Sequence, residues 1–171
     1  RTKYTPQLNT PETEFKNKIE KVRQLMGSRG WVWVALSRTA SLAWITGGAR
    51  CFVDPGAAAG IATLLVSDDR AIFATDRVEI GRLRDEELVG LPLEYSVHSW
   101  IDWYHRRDGV LNSIRGNCRG ASDIPLAGWE LGESELLPLR FSLTQLERSR
   151  LRALGQDAAT ALEQVAHQVE C

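Results

Sequence analysis

Apolar residues recur along this chain with two different periods, and the switches between them predict its elements. Phe15, Ile19, Val22 and Met26 follow at spacings of four, three and four, which gives a helix one apolar face. Thr10-Pro11-Glu12 opens that helix with a capping hydroxyl, a proline in the first turn and an acid; Gly27 and Gly30 stop it. Trp31 to Leu36 is apolar on both alternating faces, the mark of a central strand covered on both sides. Ser37 to Thr46 reads as a short helix capped by Ser37 and ended by Gly47-Gly48. Ile61 to Val66 is a second buried strand, and Ser67 to Arg70 turns the chain into a third, Ala71 to Thr75. Asp76 is placed to cap a helix running to about Leu88, with Glu79 at capping-box distance.

Leu93 to Val97 predicts a fourth strand, and Trp100 to about Arg107 a helix whose course past Gly109 is open. Arg119 to Ser122 suits a short fifth strand. Residues 123–143 hold Pro125, Gly128, Gly132 and Pro138 and read as a connector with one helical turn. In the last stretch, Thr144 and Glu147 form a capping box. Leu146, Ala153, Leu154, Ala158, Ala161, Leu162, Val165 and Val169 then keep one stripe along a long helix. Residues 1–9 read as a loose arm. Strands alternate with helices apart from one hairpin, which predicts a three-layer α/β/α domain with a mixed sheet of about five strands. The expected division is a domain over 1–142 and a linker helix over 143–171.

Composition narrows the function classes. The 171 residues suffice for one compact domain; 43% are apolar and 25% charged, as in ordinary globular proteins. A net charge of −1 gives no basic excess to attract phosphates, so nucleic acid is not an expected partner. The apolar run at 31–36 is far too short to span a membrane, and the polar start carries no signal core. A chain opening on Arg1 rather than Met reads as trimmed. Cys51, Cys118 and Cys171 are odd in number and widely spaced, which points away from a disulfide framework and towards a reducing, cytoplasmic setting.

Catalytic constellations are not evident. The histidines are His98, His105 and His167, with no H-E-x-x-H, and Asp102 beside His105 suggests a hydrogen-bonded pair rather than a ligand set. No G-x-S-x-G elbow is present, and Cys51 has no base near it in sequence. Gly47-Gly48 and Gly56 to Gly60 fit neither nucleotide-binding glycine pattern. A ribonuclease H-type nuclease needs acids on the first strand to hold magnesium, and Trp31 to Leu36 offers none. No catalytic residue and no metal ligand is therefore assigned. Aromatic surface is present instead: Trp100, Trp103 and Tyr104 crowd one short helix, either as an interface or packed under the connector.

The segment Ser37 to Gly48, SRTASLAWITGG, resembles the part of Xaa-Pro aminopeptidases and prolidases where a short helix ends at an apolar-Thr-Gly sequence. As in those proteins, a variable loop, a buried strand, a second strand and Thr75-Asp76-Arg77 follow. Many members carry an aromatic after that arginine, where this chain has Val78. Residues 139–165 are similar to the helix leading into their pita-bread catalytic domain. The resemblance covers most of the chain and implies the creatinase N-terminal domain type, built on a ribonuclease H-like motif. It further implies a non-catalytic domain of a Xaa-Pro aminopeptidase or dipeptidase that supports a homodimer and walls the active site. Its partners would be its own C-terminal catalytic domain and a proline-containing peptide. Two divalent metal ions (manganese, cobalt or zinc) belong to that following domain, not to this segment. The loop Gly47 to Pro55 is the expected wall, with Arg50 to meet a peptide carboxylate in a two-pronged hydrogen bond and Phe52 to line an apolar pocket. A creatinase-like amidinohydrolase and a non-enzymatic pita-bread binding protein would share the same domain.

Overall fold

The computed structural model describes residues 10–169. The arm expected over 1–9 and the thiol of Cys171 lie outside them. The described residues form two compact units that divide between Arg140 and Phe141.

In the first unit, helix α1 (Pro11–Arg29) starts where the side chain of Thr10 accepts the N–H of Thr13 and ends on left-handed Gly30. It buries Phe15, Ile19, Val22 and Met26, the face its spacing predicts. Strand β1 (Trp33–Arg38) begins and ends two residues later than the apolar run. Ser37 is therefore a buried strand residue and not a helix cap; its hydroxyl meets Thr63 Oγ1 at 2.9 Å across the sheet. Helix α2 (Thr39–Thr46) starts instead against Asp123, whose carboxylate accepts the N–H groups of Ser37 (2.7 Å) and Arg38 (3.1 Å). The helix stops on left-handed Gly47, as the glycine pair predicts.

Strands β2 (Ala59–Val66) and β3 (Ala71–Asp76) form the expected hairpin. The helix expected after Asp76 is one turn, α3 (Ile80–Arg82), widening into a π-type turn over Leu83–Glu87. Asp76 does receive the N–H groups of Val78 (2.7 Å) and Glu79 (3.1 Å). Glu79, however, turns to Arg82 at 3.1 Å, so no capping box closes. Strand β4 (Glu94–His98) precedes α4 (Trp100–Arg115), two helical stretches joined at a kink where Arg106 leaves helical geometry, the second of them passing through Gly109. Strand β5 (Gly120–Ser122) is followed by β6 (Glu130–Leu131), a sixth strand inside the predicted connector, then α5 (Glu133–Leu136) and a 3₁₀ turn over Leu137–Arg140.

The sheet order is β4-β3-β2-β1-β5-β6. The β1–β2 and β2–β3 pairs are antiparallel and the other three parallel, so the sheet is mixed as expected, with six strands. Strand alternation sends Val34 and Leu36 to the face covered by α1 and α2, and Trp33 and Ala35 to the face covered by α4. That is the predicted three-layer α/β/α arrangement, with Trp31 and Trp33 in the core and Trp44 partly buried at its edge.

The second unit holds α6 (Gln145–Gln168), closed at its start by the capping box of Thr144 and Glu147. Its stripe residues Leu154, Leu162 and Val165 are exposed. No helix among the described residues is long and apolar enough to cross a membrane.

Candidate functional site

Three segments meet at the end of the sheet where β3 stops and α4 begins. The first is the loop after α2. Left-handed Gly47 and Gly48 turn the backbone away from the helix. Thr46 Oγ1, bonded back to the Leu42 carbonyl, accepts the Ala49 N–H at 3.1 Å and fixes the loop's start. Cys51 is sealed beneath, and Gly60 passes so close that a Cβ there would lie 2.7 Å from the Cys51 carbonyl oxygen and from Leu42 Cδ1.

Arg50 is not a free arm. Its N–H donates to Glu87 Oε2 at 2.9 Å and its Nε to Glu87 Oε1 at 2.8 Å, while its side chain stays 69% exposed. Arg82 joins from α3: its Nη1 donates to the Arg50 carbonyl at 3.0 Å, and its Nη2 lies 3.1 Å from Glu79 Oε2. A chain of charges thus runs from Arg50 through Glu87 and Arg82 to Glu79. Burial pushes the Glu87 carboxyl up, but the Arg50 N–H and guanidinium together with Arg82 outweigh it and hold the group below the ordinary glutamate range. Phe52 is half-buried in the same loop. The structure brings the two predicted contact residues onto one loop and ties Arg50 to the body of the domain.

Together the three segments build a cleft of about 410 Å³. Helix α4 contributes Trp100, Trp103, Tyr104 and Arg107, the loop contributes Val53, and the end of β3 with the stretch that follows contributes Asp76, Val78 and Glu79. Ser99 starts α4 by accepting the Asp102 N–H (3.1 Å) and donating to its carboxylate (2.6 Å). Trp100 and Tyr104, one turn apart, stack with centroids 5.2 Å apart and planes 10° from parallel, and both are largely exposed. Trp103 is buried, its Nε1 donating to the Ile61 carbonyl at 2.8 Å. It lies against the His98 ring at 6.0 Å and against the Arg107 guanidinium at 5.2 Å. The aromatic helix therefore divides between core and surface.

The polar candidates fall apart as a site. Asp102 holds Ser99 and lies 3.8 Å from Arg106, while His105 sits edge-on to Trp100 and Tyr104 instead of pairing with Asp102. His98 Nε2 meets Ser96 Oγ at 2.8 Å, and burial moves its imidazole below its ordinary value against the pull of Asp102. The Cys51 thiol is pushed up to about 12, by burial first and by Glu87 second, which leaves it a poor nucleophile. Among the described residues, no group of three or more His, Cys, Asp or Glu is placed to hold a metal ion.

Sequence reading missed Arg107, which looks like one more solvated charge in Arg106-Arg107-Asp108. The available signal was helical spacing: Trp100, Trp103 and Arg107 recur at three and four on one face.

Comparison with solved structures places the fold. The Xaa-Pro dipeptidase of Bacillus anthracis aligns over 91% of this chain and 44% of its own, with a TM-score of 0.63 and 19% identity. The prolidase of Pyrococcus horikoshii OT3 aligns over 72% of this chain and 30% of its own (TM-score 0.46, 14% identity). The N-terminal domain of a Lactobacillus brevis Xaa-Pro dipeptidase aligns over 75% and 90% (TM-score 0.43, 18% identity). The chain thus spans less than half the length of the Bacillus enzyme, and what it shares with it is the fold expected from the sequence. No protein-family model matches the chain, and no curated protein sequence matches it.

Proposed function

We propose that this chain is the non-catalytic N-terminal domain of a cytoplasmic Xaa-Pro peptidase, supporting a homodimer and walling the active site of a following metallopeptidase domain. The observation that carries the reading is the fold held in common with a Xaa-Pro dipeptidase over 91% of the chain. In this reading the chain's own residues position and exclude, and the chemistry belongs elsewhere. Two divalent metal ions in the following domain would polarise the scissile carbonyl and activate water.

Arg50 is the residue with a task here. Glu87 fixes its Nε and leaves the exposed guanidinium end facing outward, so its two terminal nitrogens can take a peptide carboxylate in a two-pronged hydrogen bond. Phe52 beside it would supply apolar wall for the proline ring or its neighbour. Helix α6, with its exposed stripe, would carry the chain into the catalytic domain.

The test is made on the full-length protein with manganese. Xaa-Pro dipeptides should be hydrolysed, creatine should not, and the 171-residue chain alone should turn over neither. In the full-length enzyme Arg50→Ala should raise KM more than it lowers kcat. Creatine hydrolysis, or turnover by the isolated chain, overturns the reading.

A further inference from the structure

The cleft on α4 holds an arginine whose surroundings are incomplete. Arg107 is half-buried, and burial works against its charge, with Asp108 and Asp123 acting on it only at longer range. Its Nε donates to Thr63 Oγ1 at 3.2 Å, and its Nη2 to the same oxygen at 2.5 Å and to the Ala62 carbonyl at 3.2 Å. These acceptors are neutral. No carboxylate oxygen among the described residues lies within 4.0 Å of the guanidinium, whereas Arg38, Arg50, Arg70, Arg82, Arg84 and Arg119 each have one. The Asp108 carboxylate is turned to the Ala127 N–H and that of Asp123 to the start of α2. The remaining nitrogen, Nη1, has no acceptor among the described residues and is not sealed from solvent.

A half-buried cation without a counter-ion is costly unless something supplies one, and a guanidinium at a cleft is shaped to receive a carboxylate. The rest of the lining narrows the class. The stacked Trp100 and Tyr104 rings and Val53 and Val78 present apolar surface next to the charge. Asp76 and Glu79 also line the cleft; Asp76 Oδ1 already takes the Val78 and Glu79 N–H groups and Glu79 Oε2 takes Arg82, and the acid character that remains favours a ligand that carries an N–H near its carboxylate. Amino-acid and peptide termini have that combination. We propose that this cleft binds the free carboxyl end of a short peptide with an apolar or aromatic last residue, its carboxylate on Arg107 and its side chain against Trp100 and Tyr104. The site is distinct from Arg50, and it stands on the surroundings of Arg107 rather than on the peptidase reading.

The probes are N-acetyl-Ala-Phe and its C-terminal amide, titrated into the purified 171-residue chain by calorimetry and by NMR of the tryptophan indole N–H signals. The acid should bind and shift the Trp100 and Trp103 signals, and the amide should bind at least about tenfold more weakly. Tyr104→Ala, at an exposed position, should weaken the acid with no loss of folded structure. Arg107→Gln should remove the preference for acid over amide. Should that variant fail to fold, the acid–amide pair on the unaltered chain and the Tyr104→Ala result decide. Equal binding of acid and amide, or no saturation by the acid below about 10 mM, overturns the proposal whether or not the full-length protein is a peptidase.

Discussion

Arg50 and Glu87, 37 residues apart in sequence, are joined twice: the Arg50 N–H and Nε each donate to a different oxygen of one carboxylate. The pair pins an exposed loop to the π-type turn that follows α3. Glu87→Gln keeps the shape but leaves a single oxygen to accept, so one of the two bonds is lost and an amide NH2 faces a donor. We expect a stability loss of about 1–3 kcal/mol and faster amide exchange over residues 49–53, read by hydrogen–deuterium exchange. Unchanged exchange there would show that the loop is held by other means.

The same carboxyl sets a pH dependence. Its folded-state value lies below the ordinary one, so its contribution to stability is complete above the ordinary glutamate range and fades as pH falls through the lowered value. Acid unfolding curves of the native chain and Glu87→Gln should converge at low pH.

Asp123 behaves with the opposite sign. Burial raises its carboxyl above the ordinary value despite hydrogen bonds from the Ser37 and Arg38 N–H groups and from Ser41. The folded state therefore holds its proton longer, and the group's contribution falls as pH rises from the ordinary aspartate value through the raised one. Asp123→Asn should flatten that slope. Asp123→Ala should cost about 2–4 kcal/mol in urea melts, because two N–H groups at the start of α2 lose their acceptor.

Gly60→Ala should destabilise by about 1–3 kcal/mol, since the added methyl meets backbone at Cys51 and a buried Leu42 methyl together. Gly27→Ala, where nothing lies within 4 Å, is the control and should be neutral or stabilising.

Thiol labelling should separate the described cysteines. Cys118 is exposed, whereas Cys51 is buried with its thiol pushed up to about 12. Peptide mapping after brief iodoacetamide treatment should find Cys118 modified and Cys51 intact until the chain is denatured.

The elements with long periodic signals were legible in the sequence. Phe15, Ile19, Val22 and Met26 fixed the face of α1, and the two-sided apolar run fixed β1 as a central strand. What escaped depends on partners distant in sequence. Ser37 looked like a cap because a serine before a helix usually is one, but the acceptor at that helix start is Asp123, 86 residues on. Strand β6 has two residues and no period to detect. The Glu79 capping box failed because Arg82 competes for the carboxylate. The loop holding Arg50 and Phe52 could be marked out from the glycines, whereas the tie to Glu87 and the partial burial of Arg107 arise only once the layers are packed.

The two borders of the sheet differ in kind. On one side β6 ends it with two residues, too few hydrogen-bonding groups to template anything. On the other, β4 has five residues and, among the described residues, one neighbour, so its outer row of backbone donors and acceptors has no partner strand along the rim. Side-chain ties at Arg70–Glu94 and Ser96–His98 punctuate that rim with charge and polarity. Any mispairing between chains during concentrated refolding would therefore nucleate at β4, and a lysine at Val97 would be the substitution to suppress it.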